Sequence, residues 1–198
     1  MIQVRFLSDA PRSHYNLKSK INMAIKPTVF KMSMQIADMD RHYYNDHLLT
    51  IAQHPSETDE RMMVRILAFA LNANENLSFA EGITDQNQAD LWDRDHNEQI
   101  KLWISVGLPD EKLIRKAVSR SEEVIIYAYG GRTADMWWSK QKLMSYENLR
   151  VINLFSEDTQ LLATMASRGM KINFTIQEGE IMISNDSSSF NIIPQVLK

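Results

Sequence analysis

The chain of 198 residues contains no cysteine, which excludes disulfides and thiolate metal ligation and fits a reducing, cytoplasmic setting. Nowhere do eighteen apolar residues follow one another, so no spanning helix is expected. The opening residues also lack the apolar stretch of about seven to fifteen residues that a signal peptide needs. Charge of one sign is scarce in excess: the formal net charge is −3, so contact with nucleic acid must use a local basic patch. The histidines His42, His47, His54 and His96 show no zinc-ligand spacing, and His14 stands apart near the start. No internal repeat is present.

What is present is ordinary globular composition, 44% hydrophobic and 24% charged, enough for one domain with a substantial core. Residues 1–22 differ from the rest. They carry Arg5, Arg12, Lys18 and Lys20 against the single acid Asp9, without sustained period, and are expected to be a disordered extension. Met23 is a candidate start, and 23–198 is expected to form one domain.

From Thr28 to Ala37, Phe30, Met32, Met34 and Ile36 alternate with polar residues, which predicts a strand with one buried face. Turn residues follow, and Tyr43 to Ala52 returns as a second strand. The stretch "HPSETDERMMVRILAFALNANE" predicts a helix from about Glu57 to Ala73, capped by Ser56 with Asp59 in the capping-box position. Glu81 to Gln88 reads as polar loop. Residues Asp90–Arg94 and Ile100–Val106 form an expected hairpin turning near Asn97–Glu98, which sets Asp90 roughly opposite Ser105. "EVIIYAYG" is the pattern of a strand covered on both faces. Thr133 to Met144 reads as helix, and Arg150 to Phe155 as strand. A further helix, capped by Ser156, ends near Gly169. Met170 to Ile183 reads as a hairpin around "QEGE". The whole is an α/β (α+β) domain, a mixed sheet flanked by helices.

"GLPDEKLIRK", Gly107 to Lys116, has the residue types of a metal-dependent nuclease. Asp110, Glu111 and Lys112 are consecutive in a first helical turn, however, and successive helical residues point about 100° apart. They cannot converge on one ion. Their role is that of acids at a helix N-terminus, favoured by the macrodipole by about 0.3–1 kcal/mol each.

Taken together, "HPSETDERMM", Leu91-Trp92, "IKLWISVGLPDEKLIRKA" and Trp137-Trp138, in this order, resemble the YaeQ family of bacterial proteins from Met23 nearly to the end. The resemblance implies a variation of the PD-(D/E)XK nuclease fold, the restriction-endonuclease-like core. By that likeness Asp90 in Ala89-Asp90-Leu91-Trp92 matches the first aspartate. Ser105 stands where relatives carry the second carboxylate, and Gly107 falls where a lysine is expected. Lys116, on the following helix, is then the candidate for the displaced lysine.

Glu60 lies on the helical arc of Met63, Val64, Leu67 and Leu71, away from Arg61 and Arg65, which the same wheel assigns to solvent. Nuclease relatives often point such a first-helix glutamate at the site. Glu60 and Asp90 are therefore the expected metal ligands, Ser105 the degenerate third position and Lys116 the charge stabiliser. The ion would be magnesium, weakly held because a serine hydroxyl is neutral, and no organic cofactor is expected.

The expected activity is a degenerate or weak magnesium-dependent phosphodiesterase that binds nucleic acid. The alternative is a non-catalytic protein-interaction module with a transcription-related partner. Lys112, Arg115, Lys116 and Arg120, with Arg132, Lys140 and Lys142, form a basic face suited to phosphates, and Trp137-Trp138 could stack bases. A solvated surface and a core edge are the simpler accounts of the two features. Asp93 and Asp95 belong to the turn.

Overall fold

The structure, a computed structural model, describes residues 26–80 and 88–198. The expected extension 1–22, the candidate start Met23 and most of the loop expected over Glu81–Gln88 lie outside them.

Strand β1 (Thr28–Asp38) pairs antiparallel with β2 (Tyr43–Gln53) along their full length, from Thr28 opposite Gln53 to Asp38 opposite Tyr43. The alternation seen in the sequence becomes strict: Phe30, Met32, Met34 and Ile36 are buried and Lys31 and Gln35 are exposed. The chain then enters helix α1 (Asp59–Asn72). A two-residue strand β3 (Ser78–Phe79) follows, then β4 (Leu91–Arg94) and β5 (Ile100–Val106), which form the expected hairpin with Glu98 in the turn at φ 62°. Helix α2 (Glu111–Arg120) is capped by Asp110, whose carboxylate accepts from the Leu113 amide at 2.7 Å. The nuclease-like stretch is thus a helix start. After it come β6 (Ser121–Ala128), α3 (Arg132–Ser139), β7 (Leu149–Asn153) and α4 (Ser156–Thr164). Strands β8 (Gly169–Gln177), β9 (Glu180–Ser184), β10 (Ser189–Ile192) and β11 (Gln195–Val196) complete the chain.

The strands divide between two mixed sheets, ordered β10-β9-β8-β1-β2 and β11-β7-β6-β5-β4-β3. Strands β5, β6 and β7 run parallel, each joined to the next through a helix, and β1 runs parallel to β8. Helix α1 lies between the sheets. Its residues Met62 through Ala70 are all buried, and they share one core with Met34 and Phe174 from the five-stranded sheet and with Ile104, Ile125 and Ile152 from the other. A smaller core joins the far face of the six-stranded sheet to α2 and α3 through Trp103, Ile114, Ala117, Val124 and Leu149.

This burial on all sides corrects the helical wheel. A helix covered on every side offers no solvent face, and Arg65 is only 4% exposed. The cap also differs. Thr58 Oγ1 accepts from the Arg61 amide at 3.1 Å, while Ser56 Oγ is engaged with His54 Nδ1 at 2.6 Å. Among the described residues no helix is long and apolar enough to cross a membrane.

Tyr127 on β6 is fully buried, and Asn72 at the end of α1 donates to its hydroxyl at 2.7 Å. Burial pushes its phenol up from 10.0 to about 12, against the opposing pull of the Asn72 hydrogen bond. The unfolded chain ionises this group near its ordinary value, so the folded state holds the proton longer. Stability from this group is complete below pH 10 and is lost as pH rises toward 12. Tyr127→Phe should flatten the alkaline fall in urea-unfolding stability over that window while costing about 1 kcal/mol at neutral pH from the lost hydrogen bond.

Candidate functional site

The first turn of α1 carries Glu60 and Arg61, with Glu57 just before the Thr58 cap. Glu57 is the anchor of the charges here. Its two oxygens accept a fork from Arg65, Nε to Oε1 and Nη2 to Oε2, both at 2.7 Å, and Oε1 also accepts from Arg61 Nη1 at 2.9 Å. Such a bidentate pair satisfies the planar guanidinium geometrically as well as electrically. Arg61 reaches onward with Nη2 to Asp90 Oδ1 at 2.5 Å. Its pKa is pulled down by burial, but Asp90 and Glu57 more than offset this and the net shift is upward. Arg61 is therefore a fixed cation bridging two carboxylates.

Asp90 precedes β4. Its amide donates to the Ile104 carbonyl at 2.8 Å, just before the ladder begins at the Leu91–Ile104 pair, which places Asp90 beside the Ile104–Val106 end of β5. The hairpin reading of the sequence is met at the backbone. The side chains part company, however. Asp90 Oδ2 accepts from the Val106 amide at 2.7 Å and Oδ1 faces Arg61 of α1. Ser105 Oγ accepts from Trp103 Nε1 at 3.0 Å, and Trp103 belongs to the core on the α2 side. The pleat explains this: Trp103 and Ser105 share one face of β5, while Ile104 and Val106 face α1.

Glu60 accepts from Thr159 Oγ1 of α4 at 2.6 Å, and Thr159 is fully buried. Tyr129, just past β6, is raised from 10.0 to about 12 chiefly by burial. Arg61 pulls it down, and Glu60, Glu57 and Asp90 push it up. Its ring also approaches Gly107, whose added Cβ would lie 4.0 Å from Tyr129 Cε1. Sequence reasoning did not single out Tyr129 or Thr159. Tyr129 sits at the carboxyl end of the parallel strand β6, where ligand sites of open sheets tend to gather, and Thr159 lies in the first turn of α4, the helix that follows β7. Glu57, Glu60, Arg61, Asp90 and Tyr129 thus share one electrostatic neighbourhood. Lys116 lies elsewhere, half-buried on α2, whose Ile114 and Ala117 pack on the Trp103 side of the sheet.

Gly107 has φ +103°, a conformation that L side chains rarely adopt. A lysine could not occupy this position without a change of backbone, which gives the absence of that residue a local physical reason. Among the described residues no group of three histidine or acidic side chains is arranged to hold a metal ion. The acids Asp93 and Asp95 serve the hairpin: Asp93 accepts from Asn74 at 3.1 Å, and Asp95 accepts from the amides of Asn97 and Gln99. Trp137 and Trp138 are both half-buried against the smaller core, and Trp137 Nε1 donates to the Pro109 carbonyl at 2.9 Å.

Two mixed sheets sandwiching a buried helix, with a charge bridge at that helix's N-terminus, define the class of α+β protein to which the chain conforms. A family model described as YaeQ protein matches residues 23–194. The uncharacterized protein YaeQ of Escherichia coli (strain K12) is 39% identical over 172 residues, covering 86% of this chain and 95% of that protein. The crystal structure of YaeQ protein from Xanthomonas axonopodis pv. citri matches with a TM-score of 0.85 at 46% identity, over 87% of this chain and 98% of that one. That of YaeQ protein from Pseudomonas syringae matches with a TM-score of 0.83 at 31% identity, over 87% and 96% respectively. The chain belongs to the YaeQ family.

Glu57→Ala should destabilise the protein by about 3–5 kcal/mol, because it strands the buried Arg65 guanidinium without a partner. The double variant Glu57→Ala/Arg65→Met should recover most of that loss. Chemical denaturation of the two variants checks this: equal stabilities would mean that the pair contributes packing and not charge compensation.

Proposed function

We propose that this chain is a nuclease-like protein whose metal seat has degenerated, leaving phosphodiester hydrolysis weak and nucleic-acid binding as its principal activity. The observation that carries this reading is the commitment of Asp90. Magnesium needs near-octahedral oxygen ligands at about 2.0–2.1 Å and gives up water reluctantly. One Asp90 oxygen already accepts from Arg61 and the other from the Val106 amide. Glu60 is engaged by Thr159, and Ser105 would offer only a neutral hydroxyl that is already taken by Trp103. The residues as they stand do not fit a magnesium ion.

Binding is supported separately. Lys112, Arg115 and Arg120 are exposed on α2, and Arg132 and Lys140 are exposed at the two ends of α3. Arg115 is drawn into an exposed pair with Glu111 at 2.8 Å, and such pairs contribute little and yield readily to a phosphate. Lys116, half-buried on the same helix, belongs to this basic face and not to the Asp90 neighbourhood.

The test is a gel-shift series against salt with duplex and single-stranded DNA. Binding should weaken linearly on log–log axes, and replacing Lys112, Arg115 and Arg120 by alanine should reduce the duplex slope by about 2–3, at about 0.9 per phosphate contact. Asp90→Asn should leave binding unchanged. An absence of binding at low salt would contradict the proposal, and so would rapid magnesium-dependent cleavage abolished by Asp90→Asn.

A further inference from the structure

Strand β2 is the outermost strand of its sheet, eleven residues long, and among the described residues no strand pairs with its outer edge. Natural edge strands are commonly protected by lysine, proline, a bulge or short length. β2, "YYNDHLLTIAQ", has none of these: its pairing with β1 runs without a register break, and Asp46 is its one carboxylate. Its outward row instead exposes Leu48 at 89% and Tyr44 at 61%. Beside the strand, a groove of about 570 Å³ runs between β2 and β3, lined by His47, Leu49, Phe69, Leu77 and Phe79. Its aromatic floor is already assembled, with Phe69 stacked on Phe79 and edge-on to His47.

We infer that β2 is the site of self-association, pairing antiparallel with β2 of a second copy to make one continuous ten-stranded sheet. The midpoint of Tyr43–Gln53 is Leu48. A two-fold axis there pairs all eleven residues and sets Leu48 against Leu48 of the partner subunit, so the most exposed apolar side chain on the strand is covered by its own copy. In that register Asp46 faces Thr50 of the partner subunit and Tyr44 faces Ala52 of the partner subunit. No like charges are opposed. The two Asp46 carboxylates lie four residues apart along the sheet, about 14 Å, beyond the Debye length of about 8 Å.

The area argues for the groove as part of the interface. Eleven residues at about 3.4 Å make an edge about 37 Å long, and a sheet about 10 Å thick gives a flat footprint on the order of 370 Å² per copy. Twice that falls short of the roughly 1,200 Å² of a stable interface, so strand pairing alone would be transient. Side chains on the inner face of the incoming strand lie over the groove of each copy, and covering those two aromatic floors supplies the remainder. One local contact must yield: Asn45 Oδ1 now accepts from the Asp46 amide at 2.9 Å, a place the incoming strand's carbonyl would take. The inference is independent of the charge bridge at α1.

Because the chain has no cysteine, Leu48→Cys creates a single thiol on the proposed axis. Directly opposed Cβ atoms are about 4.5–5.5 Å apart, close to disulfide geometry after slight adjustment. Under mild oxidation Leu48→Cys should form a disulfide-linked dimer at least tenfold faster than Asp46→Cys, on the same strand, or Leu161→Cys, on exposed α4. Without a cysteine, sedimentation equilibrium should show a concentration-dependent dimer, and Leu48→Arg should abolish it. Equal cross-linking rates would overturn the inference. So would a dimer that persists in Leu48→Arg, or a monomer at every concentration, the result expected if an extended peptide or the chain's own first residues held the edge.

Discussion

A helix enclosed by two sheets can carry arginine only if a carboxylate is enclosed with it. That constraint governs α1. Its central residues are buried on every side, so Arg65 has no water to solvate it, and Glu57 meets its guanidinium as a two-pronged acceptor. The same carboxylate also draws in Arg61, which then reaches Asp90 ahead of the neighbouring hairpin. One buried acid thus ties the helix start to the edge of the six-stranded sheet. Separating any member from the others leaves a charge in low dielectric, so the network holds a single arrangement.

This architecture decides what the candidate site can do. A divalent ion and a guanidinium satisfy the same carboxylate by the same attraction, and here the guanidinium is built into the chain. It is held from behind by Glu57, and if it swung away Asp90 Oδ1 would lose its cation. Tyr129 remains protonated through the neutral range, and Glu60 accepts the Thr159 hydroxyl. The family relationship accounts for the fold, and the pairing of Asp90 with Arg61 and the Val106 amide is the basis of the proposal that hydrolysis is weak.

Much of this was legible in the sequence because period and register are local. The alternation of Phe30, Met32, Met34 and Ile36 marked one strand, and the hairpin count paired β4 with β5 and brought Asp90 to the Ile104–Val106 end of β5. The helix start at Pro109–Glu111 followed from the geometry of consecutive residues. What a one-dimensional reading could not see was the second sheet. A wheel drawn for a helix with one covered side assigns Arg65 to water, whereas a second covering layer buries it. Register likewise placed two backbones together without saying to which side each side chain turns. The pleat sends Ser105 toward Trp103, while Asp90, lying just outside β4, turns its carboxylate to α1. The short strands β3, β10 and β11 owe their form to neighbours already in place, not to a period of their own.

On the proposed reading, Arg61 occupies the Asp90 oxygen that a metal ion would otherwise claim. Manganese titration by calorimetry of the unaltered chain, of Arg61→Ala and of Arg61→Ala/Asp90→Asn tests it most directly. Little or no binding is expected in the first, at least a tenfold gain in affinity in the second, and loss of that gain in the third. Tight saturable binding with Arg61 in place, or a gain that survives loss of the Asp90 carboxylate, would contradict it.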